Sequence, residues 1–391
     1  MGRWAVGPME QSAAPSGWPS AADRALVALL RAGAQSGSSR WPARLYAVLL
    51  YTPLAAVTVV NVRQVVQIGV NALAAGQTLM QAAFSSYFFG TMQALMLPPL
   101  VASLLGGRSR YLALLDTVRA VMDELAGSVD VKASHQTLTR RVWILLTAQI
   151  MQILLIPCML YLPFKASINA ACSHNAIACI TMVGMSAMIA ILQMCLFMIP
   201  TKFLYMTMVL GSGYSALNAE LQSLAGGGEL RHWGALARLR PLQDRLSGAF
   251  RRLVDDMAHE LTLAMVTGVF NLVISLLVLF QAASSSALLL AQLPILFNVL
   301  VTAGLLIALP CEAGQQMLAL AAATRDWLLR LRWESARVGQ EVSALLEAAR
   351  RDLEQLGDLG YYRLQRSTMV GVMSTIVTYV IVFVQFRTSG V

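Results

Sequence analysis

Charged residues are scarce in this chain of 391 residues: Asp, Glu, Lys and Arg make up 13% of it, about half the share usual in a soluble protein. Hydrophobic residues make up 57%. A soluble domain of this length needs far more charge on its surface, so the soluble classes are excluded. The same composition excludes disorder, collagen and coiled coil. It is typical of a polytopic membrane protein.

Residues that carry catalysis or bind metals are also few. The chain has five cysteines without a CxxC pair and four scattered histidines, so we expect no metal site and no cofactor. No nucleophile–base pair or paired carboxylate lies at membrane depth, and we therefore expect no enzyme. The net charge of +9 does not indicate nucleic acid, because the basic residues alternate with long apolar blocks, as cytoplasmic loop charges do.

Long uncharged stretches predict the membrane spans, since about 20 residues cross a bilayer as a helix. The stretch 261–311 is too long for one helix, and Ser284-Ser285-Ser286 marks a hairpin within it. Seven spans are predicted, at 45–62, 81–105, 142–164, 177–206, 262–283, 288–310 and 367–386.

The loop charges orient these spans. With the N-terminus inside, all acidic residues and all basic residues except Arg63, Lys165 and Arg387 lie on the cytoplasmic side, as the positive-inside rule requires. The predicted fold class is all-α: a multi-pass plasma-membrane protein with seven transmembrane helices, N-terminus inside, C-terminus outside and a cytoplasmic helical anchor bundle. This polarity argues against a G-protein-coupled receptor, and Asp-Arg-Tyr and Asn-Pro-x-x-Tyr motifs are missing from the expected places.

The cytoplasmic segments are predicted to be helical as well. Apolar residues recur at helical spacing in 236–260 and 340–356, and Pro241 is expected near a helix start. The predicted domains are a cytoplasmic tail 1–44, transmembrane helices one to six with an outward-facing ligand pocket 45–310 (including cytoplasmic extensions 207–260), cytoplasmic anchor helices 311–366, and a pore-lining last helix with a short extracellular tail 367–391.

The last span carries a recognisable pattern. Thr378-Tyr379, five apolar residues and Gln385-Phe386 resemble the signature that ends the insect gustatory receptors, which are related to insect odorant receptors. The segments 359–367 and 217–221 also resemble that family, although Leu359 stands where many members have Cys. Seven spans with an internal N-terminus agree over nearly the whole chain.

The resemblance implies a chemosensory ligand-gated cation channel for taste perception, built from four subunits as a homotetramer or as a heteromer with related receptors. It implies that span seven of each subunit lines a central pore, that spans one to six hold the ligand pocket, and that the cytoplasmic helices make the main subunit contact. The partners implied are a small organic tastant, membrane lipid and permeating cations. A transporter or a metabotropic receptor without its own pore is the alternative.

Part of the pore hypothesis follows from spacing. Thr378, Val382, Gln385 and Phe386 lie along one stripe of a helix, so four copies would place an apolar ring beside an amide ring. Apolar constrictions gate by dewetting, and polar rings replace water around an ion. In the simpler alternative, Gln385 marks the membrane interface and Phe386 packs against a neighbour.

The outward ends of the spans supply candidate ligand contacts with aromatic, amide and hydroxyl groups, which suit a small organic molecule. The outward half has no Asp or Glu, and the chain has 20 Met, so a bitter or other apolar tastant is favoured over a sugar. Whether Cys172 and Cys179 pair stays open. The candidates are Tyr87, Phe88, Tyr161, Met185, Ser186, Ser275, Gln281, Phe297 and Asn298.

Overall fold

The structure of the chain is a computed structural model. It describes residues 20–32, 41–74, 95–129, 131–174, 176–226, 233–282, 286–333, 335–360 and 362–388. Almost all of these residues are helical, which confirms the predicted all-α class. In chain order the helices are α1 Ala21–Ala32, α2 Trp41–Ala74, α3 described over 95–102, α4 Arg108–Ser128, α5 Lys132–His174, α6 Ala176–Gly226, α7 Trp233–Ala282, α8 Ser286–Arg330, α9 Ala336–Gln355 and α10 Arg366–Thr388.

The predicted spans lie within these helices as far as the described residues extend. Four described segments are long and apolar enough to cross a membrane, and they belong to α5, α6, α7 and α8. Two shorter apolar segments, Leu95–Leu105 and Arg366–Val382, match the second and seventh spans. The first span lies inside α2. The start of the second span and the serine hairpin before Ser286 fall outside the described residues.

Several helices are much longer than a membrane is thick. The 51 residues of α6 extend about 77 Å at 1.5 Å per residue, whereas the hydrocarbon core is about 30 Å thick. The transmembrane helices therefore continue into the cytoplasm without a break. This continuity corrects the expectation for Pro241, which lies inside α7 and not at its start. Leu236 and Leu239, which precede the proline, are already buried, and that burial extends the helix backwards.

One apolar core fills the cytoplasmic half of the bundle. The α7 stripe predicted from 236–260 is buried along its length, including Leu246, Phe250 and Leu253. On α9, Val342, Leu345 and Ala349 are buried in the same core, as the spacing predicts. These helices form the predicted cytoplasmic bundle around the inner ends of α6, α7 and α8.

Candidate functional site

The last helix, α10, packs against the bundle through one face only. Ile376 and Val380 are buried against Leu272 of α7 and Ala303 of α8. Gly371, Ser374 and other residues of the opposite face are exposed. α10 therefore lies at the edge of the single chain, with most of its circumference open to a neighbouring subunit or to lipid.

The predicted pore residues lie on the open side of α10. Thr378, Val382 and Gln385 are all exposed, and at 100° per residue they lie opposite Ile376 and Val380. The Thr378 hydroxyl donates to the Ser374 carbonyl oxygen at 2.9 Å. Phe386 belongs to α10, but its side chain is outside the described part of the chain. Gly371, Ser374 and Thr378 follow one another on this side, so the stripe consists of small or polar residues up to Thr378 and continues with Val382 and Gln385.

The segment before α10 forms a tight turn that explains its sequence. Gly357 and Gly360 have positive φ values of 77° and 82°, which residues with a side chain rarely adopt. The Leu364 amide donates to the Gly357 carbonyl oxygen at 2.7 Å. Gly314 of α8 lies so close to Leu364 that an added Cβ would be 2.3 Å from its carbonyl oxygen. The turn is therefore fixed against α8 by backbone contacts.

Side chains of this turn bind it to the neighbouring helices. Arg366 makes two hydrogen bonds to the Glu312 carboxylate of α8, at 2.8 and 2.7 Å, and Arg366 lowers the pKa of that carboxyl. The Tyr362 hydroxyl donates to the Met265 sulfur of α7 at 3.0 Å. Arg363 donates to the Leu356 carbonyl oxygen at 3.2 Å. The start of α10 is therefore attached to α8 through Glu312 and to α7 through Met265.

A buried layer of amide and hydroxyl groups crosses the interior of the transmembrane bundle. Asn298 of α8 donates to the Gln193 amide oxygen of α6 at 3.1 Å, and Gln193 donates to the Thr302 hydroxyl at 3.3 Å. On α7, Asn271 and Ser275 are buried one turn apart. The Asn271 amide oxygen and the Ser275 hydroxyl have no hydrogen-bond partner among the described residues.

The register of α7 against α8 places these groups at one depth. Gly268 of α7 contacts α8 at Ala303, where an added Cβ would be 3.0 Å from the Ala303 carbonyl oxygen. Consecutive spans run antiparallel, so Asn271 and Ser275, which follow Gly268, lie level with the residues that precede Ala303. Asn298 is among those residues. Polar groups in a membrane normally face the bundle interior, and the buried polar groups of α6, α7 and α8 lie at about one depth.

The sequence predictions overlap this layer in part. Ser275 and Asn298 belong to it, whereas Phe297 is 56% exposed and points away from the interior. Gln193, Asn271 and Thr302 were not predicted, although a polar side chain inside an apolar span is a usable signal. Tyr87 and Phe88 lie outside the described residues; Tyr161, Met185, Ser186 and Gln281 lie in helices, but their side chains are not described.

A disulfide joins the two helices that meet at the predicted outer surface. Cys172, near the end of α5, is bonded to Cys179 in the first turns of α6, with 4.3 Å between their Cα atoms. Disulfides persist on the oxidising side of a membrane. The bond therefore agrees with the outward placement that the loop charges predict for this turn, and it settles the pairing of these two cysteines.

The fold, the apolar helices and the open α10 face define a polytopic helical membrane protein. The family model described as 7tm Chemosensory receptor matches residues 30–389. The chain therefore belongs to the 7tm chemosensory receptor family.

Solved structures of an insect receptor share the fold. The insect olfactory receptor OR5 from Machilis hrabei, in complex with eugenol, is similar with a TM-score of 0.68 and 13% identity, over 93% of this chain and 97% of that chain. A second structure of OR5 gives a TM-score of 0.66 and 12% identity over the same shares. A search of curated protein sequences finds no significant match.

Proposed function

We propose that this chain is an insect-type gustatory receptor: one subunit of a tetrameric, ligand-gated, non-selective cation channel in the plasma membrane. A small neutral tastant opens the channel, and the resulting cation current is the signal in taste perception. The tetramer consists of four copies of this chain or combines it with related receptors. The role requires no catalysis and no cofactor.

The uncovered polar stripe of α10 carries the proposal. Ser374, Thr378 and Gln385 are exposed in the single chain, yet they lie in a helix predicted to cross hydrocarbon. Polar groups that face lipid are costly, so such residues normally face other helices or water. Four copies around an axis would turn this stripe away from lipid and towards a shared aqueous path.

The order of residues along the stripe suits a gate. Val382 supplies an apolar ring that can close by dewetting, and Gln385 supplies an amide ring one turn further out. No charged residue lies between Thr378 and Phe386. A pore lined only by neutral groups has no strong field to distinguish one monovalent cation from another, which supports a non-selective channel.

The buried polar layer supports a neutral ligand. Its members offer amide and hydroxyl groups without a carboxylate, and the Asn271 amide oxygen and the Ser275 hydroxyl keep unused hydrogen-bonding capacity. A sugar needs many hydrogen bonds at once, whereas this layer is surrounded by apolar helix faces. A bitter or other apolar tastant with few polar groups therefore fits better. Eugenol, the molecule bound to the olfactory receptor OR5, is of this small organic kind.

Recording from cells that express only this chain tests the proposal. We expect a panel of bitter compounds, with eugenol included, to evoke cation currents that sugars do not evoke. Surface labelling must show that the receptor reaches the plasma membrane. Silence to the whole panel with normal surface labelling would contradict the proposal and favour a receptor or transporter without its own pore.

Substitutions in α10 test the pore assignment separately. Gln385→Ala and Phe386→Ala should change conductance or leak, because both residues are placed along the ion path. Val377→Ala is the matched control, since Val377 is exposed on the flank of the same helix. Unchanged currents in both stripe variants, or an equal change in the control, would show that α10 does not line the pore.

A further inference from the structure

A buried ion pair lies between the membrane bundle and the cytoplasmic bundle. The Lys202 ammonium of α6 is 2.7 Å from a carboxylate oxygen of Glu260 in α7, and the two side chains are 0% and 3% exposed. The ammonium also donates to the Ser103 hydroxyl at 3.0 Å and lies 5.6 Å from the centre of the Tyr111 ring. The cluster therefore joins four segments of the chain.

The pair lies near the inner boundary of the membrane. Thr201, next to Lys202, donates to the Gln149 amide oxygen of α5 at 2.8 Å, which places the pair level with Gln149. Arg141 and Trp143, which are exposed near the predicted inner end of that span, mark the interface where charged and aromatic residues settle. Lys202 lies four residues before the end of the predicted fourth span, and Glu260 lies two residues before the start of the predicted fifth span, so the pair lies close to this interface.

Stability alone does not account for these charges. Replacing a buried ion pair with apolar residues of similar size is often neutral or stabilising, because both charges must first leave water. The second Glu260 carboxylate oxygen and the Tyr111 hydroxyl are buried without a hydrogen-bond partner among the described residues. The observed arrangement therefore leaves bonding capacity unused, and another arrangement of the same groups can use it.

The pair is bonded to a point where the hydrogen-bond pattern of the helix changes. Ser103 begins the π-helical turn Ser103–Gly107, where α3 of the membrane passes into α4 of the cytoplasm. Such turns are rare and recur at functional positions. About two helical turns further into the membrane, the Thr267 hydroxyl of α7 donates to the Leu95 carbonyl oxygen of α3 at 2.7 Å. Lys202 and Ser103 thus fix the lower end of the second span to α6 and α7.

We propose that Lys202, Glu260 and Ser103 form a latch that holds the π-helical turn of the second span against α6 and α7 in the closed receptor. The latch rests on the proposed channel function, because it assigns the pair to the closed state of that channel. Helices α6 and α7 carry the polar layer above the latch and the cytoplasmic core below it. Release of the latch frees α3 and α4 to move relative to them and favours opening.

The double variant Lys202→Met/Glu260→Met separates a latch from a structural role. Each single variant leaves one buried charge unpaired and should lower surface abundance, whereas the double variant removes both charges and should restore it. In the double variant the ligand-free current per surface receptor should rise by about fivefold or more. Restored abundance with wild-type ligand-free current would overturn the latch.

Ser103→Ala gives a test that does not depend on recovery of the double variant. It removes one contact of the ammonium and leaves the ion pair intact, so the receptor should fold and reach the surface. Amide hydrogen exchange of 103–107 in the purified receptor should become faster, and the ligand-free current should rise. Ser128→Ala is the matched control, because the Ser128 hydroxyl donates to a backbone carbonyl oxygen at the exposed end of α4.

The two readouts separate failure of the latch from failure of the channel. Unchanged exchange of 103–107 in Ser103→Ala would overturn the latch whatever the currents show. Faster exchange, in a receptor whose wild-type form conducts no current under any condition, would contradict both the channel function and the gating role of the latch. Faster exchange together with a larger ligand-free current, in Ser103→Ala but not in Ser128→Ala, supports both.

Discussion

One apolar core fills the cytoplasmic half of the molecule and the inner ends of the transmembrane helices, with Phe203, Tyr214 and Phe250 fully buried in it. Outside this core, the described buried apolar residues of the transmembrane helices form small clusters, such as that of Leu272, Ala303, Ile376 and Val380. The interior between α6, α7 and α8 is there lined with amide and hydroxyl groups. The buried apolar contacts that stabilise the fold are thus concentrated at the inner end. The outward half and α10 contribute less to stability, so their residues can be used for ligand binding and the pore.

The largest effect expected from this contrast is on folding. Phe250→Ala removes a fully buried ring that lies 6.3 Å from the Phe203 ring, centre to centre, and should lower the free energy of unfolding by about 3–5 kcal/mol. Phe270→Ala is the matched control, because Phe270 lies in the same helix but is 44% exposed. Thermal unfolding of the purified receptor measures both. Equal losses in Phe250→Ala and Phe270→Ala would show that the cytoplasmic core contributes no more to stability than an exposed position of the same helix.

A smaller loss is expected at the turn that joins the two regions. Gly360 has a φ of 82° and nothing within 4 Å of an added Cβ, so Gly360→Ala tests backbone strain alone. The cost should be about 1–2 kcal/mol. Gly127→Ala in α4, where an added Cβ also meets nothing, should cost nothing or stabilise. If both variants unfold at the temperature of the wild type, the turn does not need a positive φ.

The outward half should respond in ligand potency and not in folding. Ser275→Ala removes a buried hydroxyl of the polar layer that has no hydrogen-bond partner among the described residues. Loss of one hydrogen bond to the ligand, about 1 kcal/mol, should weaken the response to an active tastant by about fivefold. Phe297→Leu, at an exposed position of α8, is the control and should leave potency unchanged. A dose–response series normalised to surface abundance measures both. A larger shift in Phe297→Leu would place the ligand elsewhere.

The smallest effect concerns Asp352, which is buried in the cytoplasmic core near Tyr214 and Gln243. Burial raises the pKa of this carboxyl above its ordinary range. The folded protein therefore binds the proton more tightly than the unfolded chain. The stabilisation that the Asp352 carboxyl gives to the folded protein is greatest below its ordinary pKa of about 4. This stabilisation is lost as the pH rises through the raised pKa of the folded state.

The side chain in Asp352→Asn is neutral at every pH, so this variant should not lose stability as the pH rises. Its melting temperature should therefore rise relative to that of the wild type between pH 4 and neutrality. Asp326→Asn, at an exposed carboxyl paired with Arg325, is the control and should follow the wild type at each pH. Parallel melting curves for Asp352→Asn and the wild type would show that the folded carboxyl titrates normally.

Much of this architecture could be predicted because charge and helical spacing act locally. Long uncharged stretches placed the spans, the charge asymmetry oriented them, and the stripe of Leu246 and Phe250 predicted the α7 core. Pro241 was misplaced because burial of Leu236 and Leu239 outweighed the proline's preference for a first turn. Gln193, Asn271 and Thr302 were missed because their depth depends on the register between helices, which the spacing within one span does not contain.

The ion pair of Lys202 and Glu260 shows the same limit. Each residue could be read from the sequence as a charge at the inner edge of the membrane. Their pairing with Ser103 depends on how α3, α6 and α7 meet, and only the three-dimensional structure brings these residues together.

In the proposed channel, four copies of α10 enclose the ion path with the Thr378, Val382 and Gln385 stripe inward. An electron cryomicroscopy image of the assembled receptor in a lipid nanodisc tests it most directly. We expect a fourfold particle whose central path is lined by that stripe, with Ile376 and Val380 turned towards α7 and α8 of the same subunit. A monomeric particle, or a tetramer in which this stripe faces lipid, would contradict it.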